Sequence, residues 1–270
     1  MYKHQYNFNI EIPKSLISKE KHNKIDLKPI DNKVVIGLMG YAKSGKDTIA
    51  KKFIDGYGFH RIAFADNLKK EMNENLKELV YNDICNENIS INDIDFFTED
   101  INLKKILRPY IIWYGEKIRE INGDYYWINK ALKKDAHGYN NIIISDVRRI
   151  KELDIFINSN SFKKRSETNF KLLNASTKEL NTQLNNYSSL LFHVSQLHLT
   201  DNDNLTHDCI RFAQENWILD HTFYVDPRLP NNGSYRNNSI NNQIKEVVKK
   251  FHINKPDKTI AYGRQISILD

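Results

Sequence analysis

Short apolar runs alternate along this chain with longer stretches of helical periodicity, and that alternation predicts an α/β protein. Val34-Val-Ile-Gly-Leu-Met39 reads as a buried strand; a glycine loop follows, then the helical continuation Ile49-Ala-Lys-Lys-Phe53. Phe59-His-Arg-Ile-Ala-Phe64 predicts the next strand, after which the spacing turns helical from Ala65 through Met72 and predicts a helix to about Val80. Residues 82–102, rich in Asn and Asp, read as a loop or a small subdomain with helical turns. Pro109 is suited to open a helix because its missing N–H costs nothing at that position, and residues 109–121 carry Ile112, Glu116 and Arg119 on one face. A turn at Asn122–Trp127 leads into a second helix ending near Lys134. Asn141-Ile-Ile-Ile-Ser145 is the strongest strand signal, a continuous run of the kind buried on both faces of a parallel sheet, and it delivers Asp146, Arg148 and Arg149 to its carboxyl end. Further on, Phe170–Asn174 and Trp217–Val225 are candidate late strands separated by a polar segment, and Ile240–Phe251 is the candidate final helix.

The expected architecture is a doubly wound parallel sheet, in which ligands sit outside the carboxyl ends of the strands. Residues 1–33, polar and basic, read as an added N-terminal arm. The main domain spans 34–252, with an insert at about 66–135 and a polar insertion at about 157–210, and 253–270 form a tail. There is no internal repeat.

Composition narrows this picture only slightly. The chain has 270 residues, 40% of them apolar, with 14 tyrosines and 13 phenylalanines, enough to build a full core and to exclude a disordered chain. Two cysteines, Cys85 and Cys209, are too few for a disulfide framework, and no N-terminal apolar run resembles a signal or membrane segment. A reducing, cytoplasmic setting is expected, with no membrane partner. The net charge of +6 suits polyanionic ligands, but nucleotides, nucleic acid and plain solubility all meet that description.

The chemistry concentrates in the loop after the first strand. Gly40-Tyr-Ala-Lys43-Ser44-Gly45-Lys46-Asp47-Thr48 has the glycine spacing and lysine of a phosphate cradle: glycines turn backbone N–H groups inward, and the following helix adds its positive end beside Lys46. A nucleoside triphosphate is the expected ligand, with phosphoryl transfer the expected chemistry. The usual pattern places Ser or Thr directly after the lysine as a Mg²⁺ ligand, whereas Asp47 intervenes here before Thr48. A carboxylate at that position also suits the helix dipole with or without a metal.

With Ser44-Gly45-Lys46-Asp47-Thr48, then Ala65-Asp66-Asn67-Leu68-Lys69, then Tyr114-Gly115-Glu116-Lys117-Ile118-Arg119 followed by Asp124-Tyr125-Tyr126-Trp127, and finally Ser145-Asp146-Val147-Arg148, the chain resembles the viral deoxynucleoside monophosphate kinases. Those are P-loop kinases related to adenylate kinase. Trp113–Arg119 and Ile144–Arg149 also look like animal phosphomevalonate kinase, which shares the Ser-Gly-Lys-Asp loop, and these motifs do not separate the two families. The resemblance runs from about Val34 to Phe156.

Both families place Asp after the loop lysine, so the resemblance implies that Asp47 and Thr48, with Asp146, hold Mg²⁺ directly or through water. It makes Gly40, Lys43, Ser44, Gly45 and Lys46 the ATP-binding loop, with Lys46 on the β- and γ-phosphates. Lys69 becomes a contact to the acceptor phosphate, Arg108 and Arg119 become guanidinium grips on that phosphate or the γ-phosphate, and Glu116 orients one of those arginines. Asp66 joins the acceptor side. Tyr125, Tyr126 and Trp127 either wall the acceptor base or fill the core. Arg148 stabilises charge on the transferred phosphoryl. A basic lid is also implied; Ala175–Leu184, where it is expected, holds only Lys178, while Lys163, Lys164 and Arg165 form a nearby basic run.

The function implied is transfer of the ATP γ-phosphoryl to a deoxynucleoside monophosphate in viral nucleotide metabolism, in the host cytoplasm, with ATP and Mg²⁺ as cofactors. A phosphomevalonate-type acceptor is the first alternative. The second is a former kinase turned to nucleic-acid binding or assembly, supported by the basic charge and the thin lid. A homodimer stays open, as do the base and sugar accepted.

Overall fold

The structure is a computed structural model, and it describes residues 6, 8–30, 33–84, 89–158, 189–196, 204–216, 218–226, 234–251 and 253. In chain order its main elements are β1 (Val34–Met39), α1 (Lys46–Tyr57), β2 (His60–Ile62), α2 (Phe64–Asn75), α3 (Lys77–Ile84), α4 (Ile101–Asn122), α5 (Tyr126–Asp135), β3 (Asn141–Val147), α6 (Asp154–Ile157), β4 (Ser189–Gln196), α7 (Asn204–Glu215), β5 (His221–Val225) and α8 (Ser234–Lys250). The chain divides into two compact units, one of Met1–Asp26 with Ala63–Asp135, the other of Leu27–Ile62 with Ala136–Asp270.

The second unit holds a five-stranded sheet in the order β2-β3-β1-β4-β5, and every pairing is parallel. Its middle strands are apolar on both faces, as a parallel sheet covered by helices requires. Ile36 and Leu38 of β1, Ile143 of β3, Leu190, Phe192 and Val194 of β4 and Phe223 of β5 form one core with Ile49 and Phe53 of α1 and Ile240, Ile244 and Val247 of α8. The other face meets α6, whose Phe156 lies so close to β1 that a Cβ on Gly37 would come within 2.3 Å of its ring. Helices therefore flank both faces of the sheet.

Several element boundaries differ from those the sequence predicts. β2 is only three residues long, because Phe64 already opens α2. β3 runs on to Val147, which places Asp146 inside the strand rather than beyond it. β4 lies in a stretch read as polar spacer; its Leu190-Leu-Phe run is fully buried between β1 and β5. β5 starts at His221 rather than Trp217, and α8 starts at Ser234, well before the buried Ile240. The candidate strand Phe170–Asn174, the lid candidates at 175–184 with Lys178, and Lys163, Lys164 and Arg165 lie outside the described residues, as do Cys85 and the tail from 254.

The first unit is built from α2, α3, α4 and α5 with the N-terminal residues. The helix expected from Ala65 to Val80 is divided at Leu76, whose backbone leaves the helical region. Just before it, Asn75 Nδ2 donates to the Glu71 carbonyl at 3.0 Å, a side chain competing with the helix ladder. Pro109 does not open its helix: it lies inside α4, which begins at Ile101. The Asp100 side chain caps that helix by accepting from Leu103 N at 2.8 Å, and the buried face of Leu107, Tyr110, Tyr114 and Ile118 carries the helix past the hydrogen bond that proline forfeits. Tyr6, Phe8, Ile10, Ile12 and Leu16 pack against the core of this unit, and Phe8 stacks on Tyr110 with ring centroids 4.0 Å apart. No described helix is long and apolar enough to cross a membrane.

Candidate functional site

In the sheet unit the loop from Gly40 to Gly45 turns the chain from β1 into α1 through three residues with positive φ: Gly40 at 146°, Lys43 at 62° and Gly45 at 100°. Gly40 has no room for a side chain, since a Cβ would lie 2.4 Å from the Val194 carbonyl oxygen of β4. A loop of this kind exposes backbone N–H groups at the positive end of the helix that follows, which is how a chain cradles phosphate without charged side chains. Lys46 is buried at the start of α1, and its Nζ donates to the carbonyl oxygens of Gly40 at 2.7 Å and Tyr41 at 2.5 Å. Ser44 is buried beneath it, whereas Lys43, Asp47 and Thr48 are exposed on the loop and the first turn.

Asp146 sits half-buried in β3, just before Val147, which pairs with Met39 at the end of β1. Loop and carboxylate thus share the carboxyl edge of adjacent parallel strands, and exposed Arg148 follows directly. Sequence reasoning missed Glu152. This buried carboxylate accepts from the backbone N–H of Arg148 at 2.7 Å and of Arg149 at 3.0 Å, fixing the turn that presents Arg148. Burial, then the charge of Asp146, pushes its carboxyl up to about 7 against those two hydrogen bonds. His193, also missed, pairs in register with Met39; burial and then the charge of Lys46 lower its imidazole to about 4.

The side-chain oxygens at this edge are those of exposed Asp47 and Thr48 and of half-buried Asp146. Among the described residues no group of three or more His, Cys, Asp or Glu is placed to hold a metal by itself. That donor set fits Mg²⁺, which keeps several waters and is commonly held by one or two carboxylates together with phosphate oxygens.

No protein-family model matches this chain, and no curated protein matches it.

The helical unit holds the residues expected on the acceptor side. Asp66 and Lys69 lie half-buried on α2, and Lys69 Nζ stands 5.3 Å from the centre of the Phe97 ring. Glu116 and Arg119 form an ion pair at 2.9 Å on α4, with side chains only 29% and 16% exposed, so the guanidinium is oriented by the carboxylate. Gly115 makes space for this: a Cβ there would lie 2.8 Å from Leu68 and 3.4 Å from the Arg119 Nη2. Arg108 is exposed on the same helix, about 16 Å from Arg119 along the axis at 1.5 Å per residue.

Of the three aromatics, Trp127 and Tyr125 are buried, and Trp127 belongs to the core, its Nε1 donating to the Gly115 carbonyl at 3.3 Å. Tyr126 alone stays partly exposed. Beneath it lies a polar cluster of buried Glu71 and Tyr114 with partly exposed Lys130 that sequence reasoning also missed. The signal was present: Glu71 falls between Leu68 and Met72 on the face of α2 that repeats at three and four residues.

Proposed function

We propose that this protein is a P-loop kinase that transfers the γ-phosphoryl of ATP to a deoxynucleoside monophosphate. The observation that carries the reading is the loop after β1: two glycines and Lys43 at positive φ, Gly40 pressed against β4, and Lys46 folded in beneath the helix terminus. The sheet order, with the loop strand at its centre and Asp146 on the neighbouring strand, supports a nucleoside monophosphate kinase type of fold.

In this mechanism the chain forms no covalent bond with the substrate; it positions and compensates charge. The N–H groups of residues 40–46 bind the triphosphate, and Lys46 exchanges its contacts to Gly40 and Tyr41 for β- and γ-phosphate oxygens. Asp47, Thr48 and Asp146 hold Mg²⁺, which when bound neutralises charge on the phosphates. Arg148, fixed by Glu152, meets charge on the moving phosphoryl. Lys69 and the Glu116-oriented Arg119 bind the acceptor phosphate, with Asp66 and Tyr126 on the acceptor side.

Calorimetric binding of ATP with Mg²⁺ to the wild type and to Lys46→Met tests the donor half. Losing a charge-assisted contact predicts affinity about tenfold weaker or worse in the variant. Equal binding by the two proteins overturns the loop assignment.

A further inference from the structure

Glu71 is a carboxylate on α2 with 6% of its surface exposed, and its partners come from both of the other helices that carry acceptor-side residues. Its Oε1 accepts from the hydroxyl of Tyr114 on α4, the helix of Glu116 and Arg119. Its Oε2 accepts from the Lys130 ammonium and, at 3.4 Å, from the Tyr126 hydroxyl, both on α5. Lys130 also donates to the Tyr126 oxygen at 3.2 Å, with Nζ 5.2 Å from that ring's centre. Tyr126 is therefore held at its hydroxyl by two charged groups, while His22 meets its ring edge-on at 5.4 Å. Asn67, one turn earlier on α2, donates to Asp135 at the end of α5.

An ion pair on a buried carboxylate is weak evidence for stability, because well-packed apolar residues in its place are often as stable or more so. What this one contributes is direction. It joins α2, α4 and α5 at one point and holds the Tyr126 hydroxyl between Glu71 and Lys130. The protonation states fit: burial and then Glu71 raise the Tyr114 and Tyr126 phenols, keeping both as donors. Burial works against the Lys130 charge, but Glu71 outweighs it and the ammonium stays above its ordinary value.

We propose that Glu71 is a positioning residue for the acceptor: with Lys130 it fixes the Tyr126 ring and hydroxyl against which the nucleoside monophosphate binds, and it sets acceptor affinity without touching ATP. The inference rests on the kinase reading.

The test compares wild type, Glu71→Gln and the double variant Glu71→Gln/Lys130→Met, which removes both charges so that neither is left buried alone. Affinities for ATP and for each of the four deoxynucleoside monophosphates are measured separately, beside thermal unfolding. The expected result is a double variant that unfolds within a few degrees of wild type and binds ATP unchanged, with acceptor affinity about tenfold weaker. A folded double variant with wild-type acceptor affinity overturns the inference and leaves the kinase reading standing. Parallel loss of ATP and acceptor binding overturns it in favour of a merely structural role. A wild type that binds ATP but no monophosphate overturns the kinase reading, and the inference with it.

Discussion

The carbonyl oxygen of Val194 occupies the space a side chain on Gly40 would need: a Cβ there would sit 2.4 Å away, at a φ of 146°. The loop conformation and the placement of β4 therefore depend on each other. Gly40→Ala is expected to cost about 1–3 kcal/mol through backbone strain and overpacking, and to weaken ATP binding because the loop must move. Chemical denaturation and calorimetry check the two effects; an alanine variant with unchanged stability would contradict this packing.

His193 gives the sheet unit a dependence on acid. Its imidazole titrates near 4 in the fold against 6.5 ordinarily, first through burial and then through Lys46, so the folded state favours the neutral ring. Stability from this preference is complete above pH 6.5 and is lost as pH falls from there through 4, on the order of 3 kcal/mol in all. His221, also lowered by burial, contributes in the same direction. Unfolding curves between pH 7 and 4 should fall more steeply for wild type than for His193→Gln; parallel curves would contradict the assignment.

The N-terminal residues are tied to the turn between α4 and α5. Asn122 accepts from Ser18 N at 2.8 Å and donates to the Leu16 carbonyl at 2.8 Å, and His22 bonds to the backbones of Asn122 at 2.6 Å and Tyr125 at 3.0 Å. A Cβ on Gly123 would lie 2.7 Å from the His22 backbone. Gly123→Ala should release this segment, read as faster amide exchange and proteolysis within residues 8–26. Unchanged protection would contradict the tie.

Asp100→Ala removes the cap of α4 and should lower stability by about 1 kcal/mol, seen as a lower denaturant midpoint. A midpoint equal to wild type would mean that the helix starts elsewhere, as it would if Pro109 opened it.

What the sequence made legible follows from where its signals are local. The glycine loop carries fixed spacing and β1 and β3 carry continuous apolar runs, so the loop and the strands beside it could be read directly. β4 could not, although Leu190-Leu-Phe is as apolar as β3, because polar residues on both sides masked a strand of non-local pairing. Pro109 misled because the opening of α4 was set by Asp100, two turns upstream, and not by the proline. Glu71 and His193 matter through burial and through partners distant in sequence, whereas Glu152 matters through the neighbouring backbone of Arg148 and Arg149, a turn that helical periodicity does not mark. The acidic character of Glu71 concealed that it lies on the buried face of α2.

Phosphoryl transfer itself is measured by a coupled ATP-to-ADP assay with Mg²⁺ across dAMP, dCMP, dGMP, dTMP, the ribonucleotides and phosphomevalonate, with Lys46→Met alongside. The expected result is turnover with one or more deoxynucleoside monophosphates, abolished in the variant. Folded, ATP-binding protein with no turnover on any acceptor, or turnover that survives the loss of Lys46, would contradict it.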